Sequence, residues 1–240
     1  MITDRYFNDV VTVLEKIKNT QSDKINTVAD TVAEVIKNNG IIYVFGCGHS
    51  HLAALDCFYR SGGLANVSAV LDTDLMLHNG AAKSSKMEKM SGIAESVFER
   101  YCITENDMLF VISTSGKNAV PVEMAQTASA HGVKTVGVLS SEYFGDKADK
   151  PMLCEVCDIF IDNCVPHGDA AIELLGTDVK MGSVSTAAST FVMQAVLAQG
   201  AQIALNSGAD VPIYMSGNVR GGSEFNKEII KRYLPKIKHL

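Results

Sequence analysis

Two unbroken apolar runs, Ile41-Ile42-Tyr43-Val44-Phe45 and Met108-Leu109-Phe110-Val111-Ile112, constrain this chain more than any other feature. They are short, rich in β-branched and aromatic residues, and carry no polar residue at alternate positions. That is the pattern of a strand covered on both faces. Such strands belong to parallel sheets, in which the connections that cover the faces are helices.

The remaining periodicity supplies the other elements. Strands are predicted over residues 67–71, 134–139 and 157–161, and helices over 52–59, 93–102, 119–130 and 184–206, with Gly132 closing the third of these helices. Ahead of the first strand, Val10, Val13, Leu14 and Ile17 share one helical face, and Ile25, Val28, Val32, Val35 and Ile36 another. Two amphipathic helices are expected there, the second closed by Gly40. The fold class is therefore α/β, a three-layer structure around a five-stranded parallel sheet with an N-terminal helical extension. No linker or repeat divides the chain, so it reads as one domain: N-terminal helices (1–39), an α/β core (40–206), and a C-terminal tail and helix (207–240). The stretch 72–91 shows no period and is expected to be an irregular loop close to a functional site.

Composition narrows the function. A chain of 240 residues can bury a large core without disulfides, and a net charge of −6 argues against a general nucleic-acid surface. Lys227, Lys231, Arg232, Lys236 and Lys238 form a basic tail, read as the solvated face and C-terminal end of a last helix. No unbroken apolar run approaches membrane-spanning length and the start MITDRYFNDV lacks a signal-peptide pattern, so a cytoplasmic protein without a membrane partner is expected. Cys154, Cys157, Cys164 and His167 have zinc-like spacing, but alternate residues of a strand face opposite ways. Buried, reduced cysteines are the expectation, and no metal is assigned.

The first apolar run ends in Val44-Phe45-Gly46-Cys47-Gly48-His49-Ser50-His51. A dinucleotide fingerprint needs glycine where His51 stands, a nucleophile elbow needs one where Leu52 stands, and no Walker A loop is present. What survives is a strand turning through Gly46 and Gly48 into a helix near Ser50, with backbone N–H groups at its positive end and His49 beside them. Ser50 alone would also serve as a simple N-cap. The second run ends in Ser113-Thr114-Ser115-Gly116-Lys117-Asn118, another glycine turn into a helix. It carries three hydroxyls and an amide where capping needs one. Ser113, Thr114, Ser115 and Asn118 can all donate to one phosphate dianion.

The pair GCGHS and STSGKN resembles the two phosphosugar loops of the sugar isomerase (SIS) domain family, with Asn118 where that family usually carries Thr. Residues 169–174, 181–186 and 216–226 resemble a bacterial group of single-domain SIS proteins named by similarity to phosphoheptose isomerases. The resemblance implies a flavodoxin-like, nucleotide-free fold, a homodimer or higher homo-oligomer, a site between subunits and a small phosphosugar ligand; phosphoheptose isomerases also bind zinc, but no ligand set maps onto this sequence and no cofactor is assigned. The resemblance also implies isomerisation through an enediol, which needs a base and an acid. The familiar glutamates are absent: Tyr59 and Arg60 stand near one expected position and Lys180 at the other. Candidate replacements are Glu88 and His78 in the 72–91 stretch, Glu173, and His49 or His51. Glu88 is taken as base and His78 as proton donor. A lyase or deglycase starting with the same proton abstraction, or a phosphosugar sensor without catalysis, are the alternatives.

Overall fold

The computed structural model describes residues 1–146 and 150–240. Its first element corrects the two-helix expectation, because Ile2–Lys37 is one helix of 36 residues (α1). The polar stretch that resembled a break contains no Gly or Pro. Thr20 donates to the Lys16 carbonyl at 2.7 Å and Thr27 to the Asp23 carbonyl at 2.9 Å, so these side chains are accommodated inside the helix. Gln21 is turned inward, where its Oε1 accepts the backbone N–H of Asp162 at 3.1 Å. The polar patch is thus where α1 crosses the end of a strand.

The chain continues through β1 (Ile42–Gly46), α2 (His51–Cys57), β2 (Val67–Val70), α3 (Ala81–Met87), α4 (Ala94–Phe98), β3 (Met108–Ile112) and α5 (Ala119–Ala130). Then follow β4 (Lys134–Leu139), α6 (Leu153–Val156), β5 (Ile159–Asp162), β6 (Ala170–Ile172), β7 (Met181–Ser183), α7 (Ser185–Asn206) and α8 (Gly222–Tyr233). The first five strands form one parallel sheet in the order β2-β1-β3-β4-β5. This is the expected five-stranded, flavodoxin-like arrangement with helices on both faces.

Strand alternation divides the core in two. Ile42, Val44, Phe110, Ile112 and Val138 pack toward α1 and α7, whereas Tyr43, Phe45, Leu109, Val111 and Leu139 face the layer of α4 and α5. By length and composition α7 is apolar enough to cross a membrane. Its Val192, Met193, Val196 and Ala204 are instead fully buried in the core. A Cβ on Gly200 would lie 2.6 Å from Val32 Cβ, so glycine sets how closely α1 and α7 approach.

Three further differences from the sequence reading bear on the site. The 72–91 stretch contains 3-10 turns at Thr73–Leu75 and Leu77–Asn79, followed by α3. It is tied together by Ser84 donating to the Leu75 carbonyl at 2.9 Å, and by Lys83 and Asn79 on Asp74 at 2.6 and 3.0 Å. The helix expected over 93–102 shrinks to the five residues of α4. Strands β6 and β7 form an antiparallel hairpin beside the start of α1, where Tyr6 Oη donates to the Ser183 carbonyl at 2.8 Å. In the basic tail, Lys236 and Lys238 lie beyond α8 and donate to the carbonyls of Asn39 and Arg100 at 3.2 and 3.0 Å. They stitch the tail down rather than only facing water.

Candidate functional site

The sheet order reverses between β1 and β3, whose crossovers leave in opposite directions. The crevice outside the C-terminal ends of such strands is where open α/β sheets hold ligands. Both glycine turns lie there. Gly46 ends β1, and a Cβ on it would stand 2.6 Å from the carbonyl carbon of Ser50. Only glycine lets the chain fold back over the strand end. Gly48 has φ +55° and opens a 3-10 turn, Gly48–Ser50, that runs into α2.

The second turn is built differently. Ser113 is buried; its N–H donates to the Val138 carbonyl at 2.9 Å and its Oγ accepts from Gly116 N–H at 3.3 Å. Its hydroxyl proton is left to donate. Gly116 has φ +62°, and a Cβ there would meet Leu139 Cδ1 at 2.7 Å. Ser115 is half-buried, and Asn118 is the extended residue before α5. Lys117 points away, pairing with Asp146 at 2.6 Å.

A small cleft at this edge is lined by His49, Ser50, Ala53, Thr114, Ser185, Thr186 and Ser189. It joins the first motif and the second to the start of α7. Ser185, Thr186 and Ser189 were not singled out in the sequence, although hydroxyls entering a long helix were visible at residues 181–186. The start of α7 is already partly occupied: Asp169 accepts from the N–H groups of Val184 and Ser185 at 3.0 and 2.8 Å and from Ser185 Oγ at 2.7 Å. Ser189 Oγ accepts from Asn163 at 3.3 Å. Ser50, Thr114 and Thr186 supply the remaining hydroxyls.

Three histidines gather beside the first turn. His51 is buried, its Nδ1 bonded to the Gly48 carbonyl, so Nδ1 carries the proton and neutral Nε2 is an acceptor. The exposed His78 ring stands edge-on to it at 6.2 Å between centroids. Burial holds His51 below the ordinary imidazole range, with the charges of His78 and His49 adding to the effect against the Gly48 carbonyl.

Glu88 is the C-terminal cap of α3 and lies against the start of α5. Its carbonyl accepts from Val120 N–H at 3.1 Å, at the start of α5 beside the second motif. Desolvation raises its pKa above the usual carboxylate value, opposed by Lys89 and Asn118. Its charge is also felt at Cys47, whose thiol is pushed up mainly by burial and then by Glu88 and Asp72. Glu173 lies elsewhere, on the hairpin side, ion-paired with Lys180 at 3.2 Å. Arg60 pairs with Asp56 at 2.6 Å at the far end of α2.

The cysteine-rich stretch is dispersed. Cys157 Sγ packs against Gly137, Cys164 Sγ lies 3.8 Å from Thr20 Oγ1, and His167 Nε2 lies 3.0 Å from Asp146. Among the described residues no three His, Cys, Asp or Glu side chains converge as a metal-ligand set.

A five-stranded parallel sheet with two glycine turns at its switch point defines the class: an α/β domain of flavodoxin-like topology. Residues 5–140 match the SIS domain, and the chain belongs to that family. It is 38% identical to the UPF0309 protein of Caldanaerobacter subterraneus subsp. tengcongensis, covering 99% of each chain. It is 37% identical to a UPF0309 protein of Brucella canis, covering 100% of this chain and 99% of the relative. Among solved structures, a phosphoheptose isomerase from Francisella tularensis superposes with a TM-score of 0.55 at 16% identity, over 83% of this chain and 96% of that one. A phosphoheptose isomerase from Neisseria gonorrhoeae gives 0.53 at 15% identity, over 83% of this chain and 98% of that one. At these identities the likeness establishes the fold.

Proposed function

We propose that this chain binds a phosphorylated sugar and isomerises it through an enediol. The observation that carries the reading is the convergence of Ser50, Thr114 and Thr186 on one cleft with no Lys or Arg among the described residues that line it. Such a site grips a dianion through hydroxyls and amides, aided by the positive helix end. The names of the two solved relatives, both phosphoheptose isomerases, support the same ligand class.

In this reading the Glu88 carboxylate removes the proton from the carbon next to the carbonyl. The electrons of that C–H bond form the enediol double bond, and the carbonyl oxygen takes a proton from the histidine cluster, His78 being the donor. Glu88 then returns its proton to the former carbonyl carbon while the hydroxyl on the carbon first deprotonated gives its proton back to His78, so a carbonyl forms there, both residues are restored and nothing is oxidised or reduced overall. A carboxylate whose pKa is raised by burial is a stronger base than a solvated one. Ser113, Ser115 and Asn118 shape the second loop, and Asn118 favours the ionised form of Glu88. Lyase or deglycase chemistry would begin with the same abstraction.

A second copy of the chain is the proposed neighbour of the exposed apolar residues Ile2, Phe7, Leu175, Val179 and Met181 around the α1 start and the hairpin. Sedimentation at several concentrations tests this, and a monomer throughout would refute it. A binding protein without catalysis is the second reading. Its support is that Tyr59, Arg60 and Lys180 stand where the resemblance expects glutamates.

Incubation with a panel of aldose and ketose phosphates in D2O separates the two. Solvent deuterium next to the carbonyl is expected for the isomerase. Thermal stabilisation by a sugar phosphate without any exchange would leave only the sensor. If Ser50→Ala and Thr114→Ala both keep full ligand stabilisation, the phosphate assignment fails.

A further inference from the structure

At the opposite end of the sheet, beyond the N-terminal ends of the strands, Tyr59 follows α2 and faces the loop 214–226. We propose that the hollow between them is a second ligand site, built for a neutral, unphosphorylated sugar ring. Its walls include Tyr59, Ser61, Tyr214, Ser216, Asn218 and Ser223, and none of the described residues lining it is charged. The hydroxyl and amide groups of this wall match the hydroxyls of a sugar ring.

The anchor is Tyr214. It is 4% exposed, and its Oη has no hydrogen-bond partner. A buried hydroxyl without a partner is costly, on the order of 1–3 kcal/mol, and is rare in native folds unless something completes it. Burial pushes the phenol up to about 12, with Tyr59 and Tyr233 adding, so it is a donor at neutral pH. The Tyr59 ring stands edge-on to it at 5.3 Å and is 58% exposed, leaving an aromatic face for the C–H side of a pyranose. Tyr59 holds this pose with φ +49°, a backbone region unfavourable for a bulky residue.

The facing loop is rigidly made. Asn226 clamps Met215 through both backbone groups, at 3.0 Å from its N–H and 2.8 Å to its carbonyl. Ser216 Oγ accepts Asn218 N–H at 3.3 Å, and Gly222 lies so close to the Ser216 carbonyl that a Cβ would overlap it. Pre-ordering of this kind suits a binding wall. The hollow shares no lining residue with the phosphate cleft, and either assignment can fail alone.

Saturation-transfer NMR on the full chain, in phosphate buffer to fill the other cleft, tests it with glucose, galactose and N-acetylglucosamine as probes. Transfer to the ring protons of at least one is expected. Tyr214→Phe is expected to weaken binding about tenfold, one hydrogen bond's worth. Tyr59→Asn, which tolerates the left-handed backbone, should abolish the ring contact, and Ser50→Ala should weaken phosphate binding in the other cleft while leaving the sugar contact unchanged. No transfer from any probe overturns the proposal. So does transfer that survives in both tyrosine variants, or that disappears with Ser50→Ala.

Discussion

The two glycines of the first turn are required for different reasons, and the difference is measurable. A Cβ at Gly46 would sit 2.6 Å from the Ser50 carbonyl carbon, 2.7 Å from its oxygen and 2.8 Å from its Cβ. Most of that obstacle is backbone and cannot rotate away. Gly46→Ala must therefore push the turn off β1, an overpacking cost of about 1–3 kcal/mol, at the upper end because the obstacle is rigid. At Gly48 the nearest atom to a Cβ is Leu77 Cδ2 at 4.0 Å, so there is room, but φ is +55°. Gly48→Ala carries only the left-handed penalty of about 1–2 kcal/mol, and Gly48→Asn less, since Asn tolerates that region. At roughly 2–4 °C per kcal/mol for a chain of this size, the expected order of Tm loss is Gly46→Ala, then Gly48→Ala, then Gly48→Asn. Scanning calorimetry gives that order directly. Adding phosphate gives a second reading: Gly46→Ala displaces Ser50 and should lose the phosphate-dependent rise in Tm. A Gly46→Ala protein as stable as Gly48→Asn, or one with an undiminished phosphate response, would refute the steric account of the turn.

Further outcomes follow from the same geometry. Because His51 has a depressed pKa in the folded protein, the unfolded chain takes up that proton first. The stability this residue contributes is complete above about pH 6.5 and declines as pH falls below it. Urea unfolding between pH 5 and 8 should show that decline in the wild type and a flatter profile in His51→Gln; parallel profiles would exclude His51 as the source. Glu88→Gln should cut deuterium exchange into a sugar phosphate by about 10²-fold or more while keeping ligand stabilisation, and unchanged exchange would remove Glu88 as base. Asp169→Asn keeps an acceptor for the Ser185 and Val184 amides but removes a charge from the α7 start. Calorimetric titration should then show tighter phosphate binding at a stability cost of about 0.3–1 kcal/mol, and weaker binding would contradict the cleft as drawn.

The sheet was legible because burial on both faces leaves a plain mark. Residues 108–112, 134–139 and 119–130 carry the same bounds in the sequence reading and in β3, β4 and α5. Misreadings cluster where another force acts. The polar stretch 18–24 looked like a helix break because apolar periodicity cannot show that Gln21 is turned inward to satisfy Asp162 N–H, a partner 141 positions away. The hairpin strands are three residues each, too short for a period of two to register. The 3-10 turns of 72–91 are likewise three residues long, held by side-chain contacts such as Lys83 with Asp74 rather than by an apolar face. The hydroxyls of α7 were missed because Ser and Thr at a helix start are ordinary caps; only the fold brings Ser185, Thr186 and Ser189 to the same cleft as Ser50.

That last point also explains why Glu88 and the second glycine turn come together although they lie on separate stretches. In the order β2-β1-β3, the chain leaving the C-terminal end of β2 has to return to β3 at its N-terminal end, passing β1 between them. A short connection would descend directly. Segment 72–91 instead first runs along the edge where β1 and β3 end, through two 3-10 turns and α3, until Glu88 meets Asn118 and Val120 at the start of α5. The two glycine turns are closely packed at Gly46 and Gly116 and have little freedom to vary. The crossing segment rests on local bonds such as Ser84 with Leu75 and can change its side chains without disturbing a strand. Placing the proposed base and acid on that segment separates the grip on phosphate, common to any phosphosugar, from the chemistry done on the rest of the ligand. A search for catalytic residues at positions borrowed from relatives therefore finds Tyr59, Arg60 and Lys180, while topology directs attention to the segment that crosses the open end of β1.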